Sequence, residues 1–150
     1  MPDTFSQLYI QIVFAVKKRE KLIDSSWEPK LHKYISGIAS NSDQKMIAIN
    51  GMPDHIHFLL GITPTCRISD LVREIKKSST NYINEQRFTR FKFQWQEGYG
   101  VFSYSRSELN NVIGYINNQK EHHVKTTFKT EYMALLKEAN IEFKEEYLFC

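Results

Sequence analysis

The sequence predicts an α+β fold: an antiparallel four-stranded sheet in βαββαβ order, two helices on one face, and further helices at the C-terminal end. Three observations predict it. Two apolar-polar alternating stretches are each followed by a helix-period stretch. A Gly-Met-Pro-Asp turn splits two strand-like runs into a hairpin. Two more helix-period segments then follow the last extended stretch.

Taken in order, "FSQLYIQIVFAVKKREKL" alternates, with Leu8, Ile10, Ile12, Phe14 and Val16 on one side, and ends in a basic cluster. "DSSWEPKLHKYISGIAS" offers Asp24 or Ser25 as a helix cap and carries Trp27, Leu31, Tyr34, Ile35 and Ile38 at helical spacing. "QKMIAIN" and "HIHFLLGI" are the hairpin strands around "GMPD". "RISDLVREIKKSSTNYINEQ" is the best helix, burying Ile68, Leu71, Val72, Ile75, Ser79, Tyr82 and Ile83. Arg73, Lys76, Lys77 and Arg87 fall on its other side. "FKFQWQEGYGVFSYSR" reads as extended chain. "SRSELNNVIGYINNQKEHH" is a helix capped by Ser107, and "FKTEYMALLKEANIEF" is a last helix closed at Asn140. This is the ferredoxin-like or RNA-recognition-like plan, and it leaves one face of the sheet open.

Composition bounds the function. The chain has 150 residues, 41% hydrophobic and 25% charged, and reads as one domain spanning 1–150. Its net charge of +3 decides little. The distribution decides more: Arg67 to Lys92 holds seven basic residues against three acidic ones, a region suited to an anionic partner such as DNA. Two cysteines form no disulfide framework and fit a reducing cytoplasm. No apolar run approaches a membrane span, and no leader-like N-terminus precedes the first strand.

The chemistry-bearing residues begin with His55 and His57. Second neighbours on a strand share a face, so the two imidazoles project together, opposite Ile56, Phe58 and Leu60. Alone the pair suits a metal or a merely polar sheet face. The helix at 107–123 adds partners, because Tyr115, Asn118, Gln119 and His122 lie at i, i+3, i+4 and i+7. His122 and His123 read as a solvated helix end, with His122 an alternative ligand or proton acceptor.

With "PDHIHFLL", "LVREIKKSSTNYIN", "FQWQEGYGVFSYS" and "GYINNQKEHH" in this order, the chain resembles the single-tyrosine HUH transposases of the insertion-sequence two-hundred/six-hundred-and-five class, and their relatives associated with repetitive extragenic palindromes. The resemblance spans roughly residues 5–149. It implies that His55, His57 and Gln119 bind a divalent metal, Mg²⁺ or Mn²⁺, and that Tyr115 is the nucleophile. Attack on a phosphodiester of single-stranded, hairpin-flanked DNA would leave a 5′-phosphotyrosine and a free 3′-OH. The resemblance also implies a cytoplasmic, nucleoid-associated homodimer in which Tyr115 of one subunit reaches the histidines of the other. Arg73, Lys76, Lys77 and Arg87 are the expected DNA contacts. Two other readings stay open: a non-catalytic RNA-recognition-like nucleic-acid binder, and a metal-dependent hydrolase that makes no use of Tyr115.

Overall fold

A computed structural model describes residues 5–148. Its strands are β1 (Leu8–Ala15), β2 (Lys45–Met52), β3 (His55–Ile62) and β4 (Gly100–Tyr104). Its helices are α1 (Glu28–Asn41), α2 (Ile68–Gln86), α3 (Leu109–Asn117), α4 (Gln119–His122) and α5 (Phe128–Glu138). The sheet runs β2-β3-β1-β4 and every pairing is antiparallel, as the βαββαβ order requires.

The alternation read from β1 sets the main core. Ile10, Ile12, Phe14 and Val16 meet Ile56, Phe58 and Leu60 of β3 across the register, and Leu31 and Ile35 of α1 with Leu71, Val72, Ile75 and Ile83 of α2 close over them. Phe93 and Trp95 join this core, although their segment pairs with β1 only through the bridge Val16–Trp95. The Trp95 indole N–H donates to Ser79 Oγ, which satisfies the one polar position in the buried stripe of α2. Helix α1 begins two to three residues later than the Asp24 or Ser25 cap implies. Asp24 instead accepts from the Ser26 N–H in a turn that leads to Pro29 in the first helical turn.

The second face of the sheet differs from expectation: it is covered. Val112 and Ile116 of α3 pack on Ala48 and Leu59. Phe128, Tyr132 and Leu136 of α5 pack on Val13, Ala15 and Phe102. Apolar side chains alternate on this face too, so strands β1 and β3 are buried on both sides and need a second layer. That layer comes from the C-terminal helices, whose own apolar stripes had no other place to go. The expected single helix over 107–123 is also interrupted. A turn at Arg106–Glu108, held by a Ser105/Glu108 capping box, precedes α3, and Asn118 breaks α3 from α4. Lys120 then pins α4 by donating to Glu28 Oε2, Asn50 Oδ1 and the Gly51 carbonyl.

Candidate active site

The site starts at the β2–β3 turn. A Cβ on Gly51 would lie 2.3 Å from the His55 carbonyl oxygen, so only glycine lets the two strands approach this closely beside the first histidine. From there the pleat places His55 and His57 on the face opposite the main core. Both are fully buried, which corrects the expectation of an open, substrate-facing pair. The cover is α3, α5 and the link between α4 and α5.

Each imidazole is oriented from behind. His55 Nδ1 lies 2.6 Å from Asp54 Oδ1, and His57 Nδ1 lies 2.7 Å from Gln11 Oε1, whose own amide N–H₂ donates to the Tyr104 hydroxyl. An oxygen that can only accept fixes the proton on Nδ1 and turns Nε2 toward the site. His55 also stacks on Phe128, with ring centroids 4.1 Å apart.

At the centre stands a residue that the sequence reading did not single out: Glu131 of α5. Its Oε1 is 3.0 Å from His57 Nε2 and 3.3 Å from His55 Nε2. Its Oε2 accepts from the Tyr115 hydroxyl and, at 2.9 Å, from Gln119 Nε2. Gln119 Oε1 meets His55 Nε2 at 3.1 Å, and the Tyr115 ring sits edge-on to His57 at 5.7 Å. The sequence did carry a signal for Glu131. It falls in the buried stripe Phe128, Glu131, Tyr132, Leu136, where an unpartnered carboxylate would be very costly.

The electrostatics follow from this packing. Burial dominates at His57 and draws it down to about 4, so its imidazole is neutral. Burial also works against charge on His55, but Asp54 and Glu131 outweigh it and raise its pKa. For Glu131, burial is again the largest single influence. The close His55 and His57 imidazoles and the hydrogen bond from Tyr115 together overcome it and hold the carboxyl far below the usual range. Burial and the adjacent Glu131 charge push the Tyr115 phenol well up.

His55, His57 and Glu131 have the donor types and mutual spacing to hold a divalent metal. Of the expected site residues, the fold therefore brings together His55, His57, Tyr115 and Gln119. Tyr115 stands beside His57 of its own chain. His122 Nε2 is 3.5 Å from Glu131 Oε2 and is half-exposed. His123 is not a solvated helix end: its side chain is only 5% exposed and reaches Glu131.

The expected DNA contacts lie elsewhere. Arg73, Lys76 and Lys77 line a groove of about 1130 Å³ with Lys17, Lys92 and Tyr99, between α2 and the segment before β4. Arg73 pairs with Asp70. Lys76 donates to the carbonyls of Gln96 and Gly98, and burial draws its ammonium down to about 8. Arg87 is exposed in a left-handed conformation at the end of α2 and does not line that groove.

The model of the family described as "Transposase IS200 like" matches residues 4–119. This chain belongs to the IS200-like transposase family. A relative is the ISDra2 transposase TnpA of Deinococcus radiodurans, 25% identical over 121 residues that cover 77% of this chain and 86% of that one. Among solved structures, a transposase from the same organism aligns with a TM-score of 0.65 at 24% identity, covering 79% of this chain and 95% of its own. The REP-associated tyrosine transposase, solved bound to a REP hairpin, aligns with a TM-score of 0.62 at 15% identity, covering 82% and 73%. These likenesses share the fold described above. The activity of such a transposase is DNA strand cleavage and transfer. In this transposase the family match ends at Gln119, so His122, His123 and Glu131 all lie beyond it.

Proposed function

We propose that this transposase cleaves and rejoins single-stranded DNA at hairpin-flanked ends, with Tyr115 as the nucleophile that becomes a 5′-phosphotyrosine. One observation carries the reading: the Tyr115 hydroxyl and the Nε2 atoms of His55 and His57 converge on a single buried carboxylate, Glu131. His55, His57, Gln119 and Glu131 would hold a divalent cation, Mg²⁺ or Mn²⁺. Such a cation supplies positive charge against the phosphate oxygens and the charge that develops on them.

The chain's own residues do the rest. Asp54 and Gln11 hold the two imidazoles in one tautomer. Gln119 and Glu131 hold the Tyr115 hydroxyl oxygen on the site side of α3, with its proton directed at Glu131 Oε2. Tyr115 attacks phosphorus, its proton leaves along that hydrogen bond, and the 3′ oxygen departs. Reversal by a 3′-OH restores the phosphodiester without external energy, because the phosphotyrosine retains the ester bond. Arg73, Lys77, Arg87 and Lys76 are proposed to contact the DNA backbone, Lys76 with the fewest free donors. We read residues 1–150 as one domain acting in the cytoplasm, as a homodimer with a site in each subunit. No helix among the described residues is long and apolar enough to cross a membrane. The covered sheet face leaves no platform for bases to stack on as in an RNA-recognition domain.

The test is a labelled single-stranded hairpin incubated with the protein and Mg²⁺ or Mn²⁺. Wild type should form a denaturant-resistant protein–DNA adduct that EDTA prevents. Tyr115→Phe should form none while retaining DNA affinity within about threefold, since only the hydroxyl reacts. An adduct with the Phe variant would remove Tyr115 from the mechanism.

A further inference from the structure

The end of α4 gathers a second set of donors around Glu131, and the reaction proposed above leaves both of its histidines unused. On a continuing helix consecutive residues point about 100° apart. Helix α4 instead stops at His122 and the chain turns, the Val124 N–H donating to the Glu121 carbonyl and the Lys125 N–H to that of His122. The turn carries both imidazoles to Glu131: His123 Nε2 lies 2.9 Å from Oε1, and His122 Nε2 lies 3.5 Å from Oε2. Ligand atoms of the three residues all fall within 4.8 Å of one another. His123 Nδ1 is 3.0 Å from the Thr126 carbonyl oxygen, a pure acceptor, which turns Nε2 toward the carboxylate as outer partners do for metal-ligating histidines. The His122 approach is too long for a good hydrogen bond, yet it suits a shared ion. Bonds of about 2.0–2.2 Å at tetrahedral angles separate neighbouring ligand atoms by about 3.3–3.6 Å.

We propose that His122, His123 and Glu131 form a second cation site, separate from the His55/His57 site and joined to it by the Glu131 carboxylate, which bridges the two ions. Two imidazoles and one carboxylate are the donor set of a Zn²⁺-like transition ion with one position left open. His122 is half-exposed and, with Tyr115, lines an outer cavity of about 790 Å³, which has room for a water or a phosphate oxygen at that position. The Tyr115 hydroxyl donates to the same Glu131 oxygen that His122 approaches. The second cation therefore lies beside the attacking oxygen, while the first lies among the strand histidines. Paired cations about 3.5–4 Å apart brace the attacking and leaving oxygens of a displacement at phosphorus. The bridge rests on the metal reading given above; His122 and His123 serve the second site alone.

The chain has five histidines, so imidazole ¹⁵N spectra of the intact protein resolve the question directly. Titration with Zn²⁺ as a diamagnetic probe should shift His122 and His123 as one set and His55 and His57 as another. His32 should stay unmoved, with two equivalents bound at saturation. Shifts confined to His55 and His57, at one equivalent, overturn the proposal and leave the metal reading standing. Shifts at no histidine overturn both. Calorimetry gives a second readout through His122→Asn, a change at a half-exposed position. It should weaken the second equivalent at least tenfold, while His55 and His57 still respond to the first. Unchanged affinity for both equivalents in that variant also overturns the proposal.

Discussion

At the scale of single residues, the same burial works against charge on both His55 and His57, but their net shifts are opposite because only His55 has both Asp54 and Glu131 to offset it. This sets the pH dependence of metal-free stability. The His57 imidazole takes up a proton in the unfolded chain near pH 6.5 but in the folded protein only near 4. As pH falls through that window the unfolded state binds more protons, and stability drops by about 3 kcal/mol. His55 has its pKa raised on folding, so its contribution is fully present below 6.5 and is lost as pH rises through the folded value. The two opposing slopes give a stability maximum near pH 6.5. Urea midpoints measured in EDTA from pH 4 to 9 should show it, and His57→Gln should flatten the acid limb. Absence of the acid limb, with stability no lower at pH 4 than near 6.5, would mean that His57 is not held neutral.

At the scale of elements, α2 carries two neighbouring lysines with different duties. Lys77 is exposed, whereas Lys76 ties α2 to the Gln96–Gly98 backbone. Lys77→Ala should lower the salt slope of single-strand binding by about 0.7 with unchanged stability. Lys76→Ala should change that slope less and cost about 1–2 kcal/mol, from two lost hydrogen bonds to carbonyls. Equal slopes for the two variants would undo the distinction. The elements were also where the sequence was most and least legible. β1, the hairpin and α2 were readable because a strand or helix with one core face shows its period directly. The break at Asn118 was not, since Asn-Gln-Lys reads as good helix and only the docking of Lys120 on Glu28, Asn50 and Gly51 shows where α4 turns. Within the site, His55, His57, Tyr115 and Gln119 were legible from spacing and order. Glu131 and His123 were not, because the strand histidines they approach lie far away in sequence and only the fold brings them together.

At the scale of the whole molecule, the groups assigned to the proposed reaction lie together in one chain, since Tyr115 lies beside its own His57. A dimer then provides two self-contained sites, and complementation between subunits should fail. Heterodimers of Tyr115→Phe with His57→Ala would carry one defect in each site and should not cut. Recovery of cleavage in purified heterodimers, measured on the same labelled hairpin, would show that the tyrosine helix is exchanged between subunits.

The approach of Glu131 to His57 joins residues 74 positions apart. A bond between such distant points acts on the unfolded chain as well as the folded one, because it forbids most of the conformations that an open loop explores. Taken as a covalent bridge, a loop of this length would be worth about 4 kcal/mol. A cation shared by β3 and α5 would therefore serve as a reversible clasp: an ion in the medium would set how firmly the last helix is fastened, much as redox potential sets a disulfide. Helix α5 would answer to metal supply before any DNA arrives.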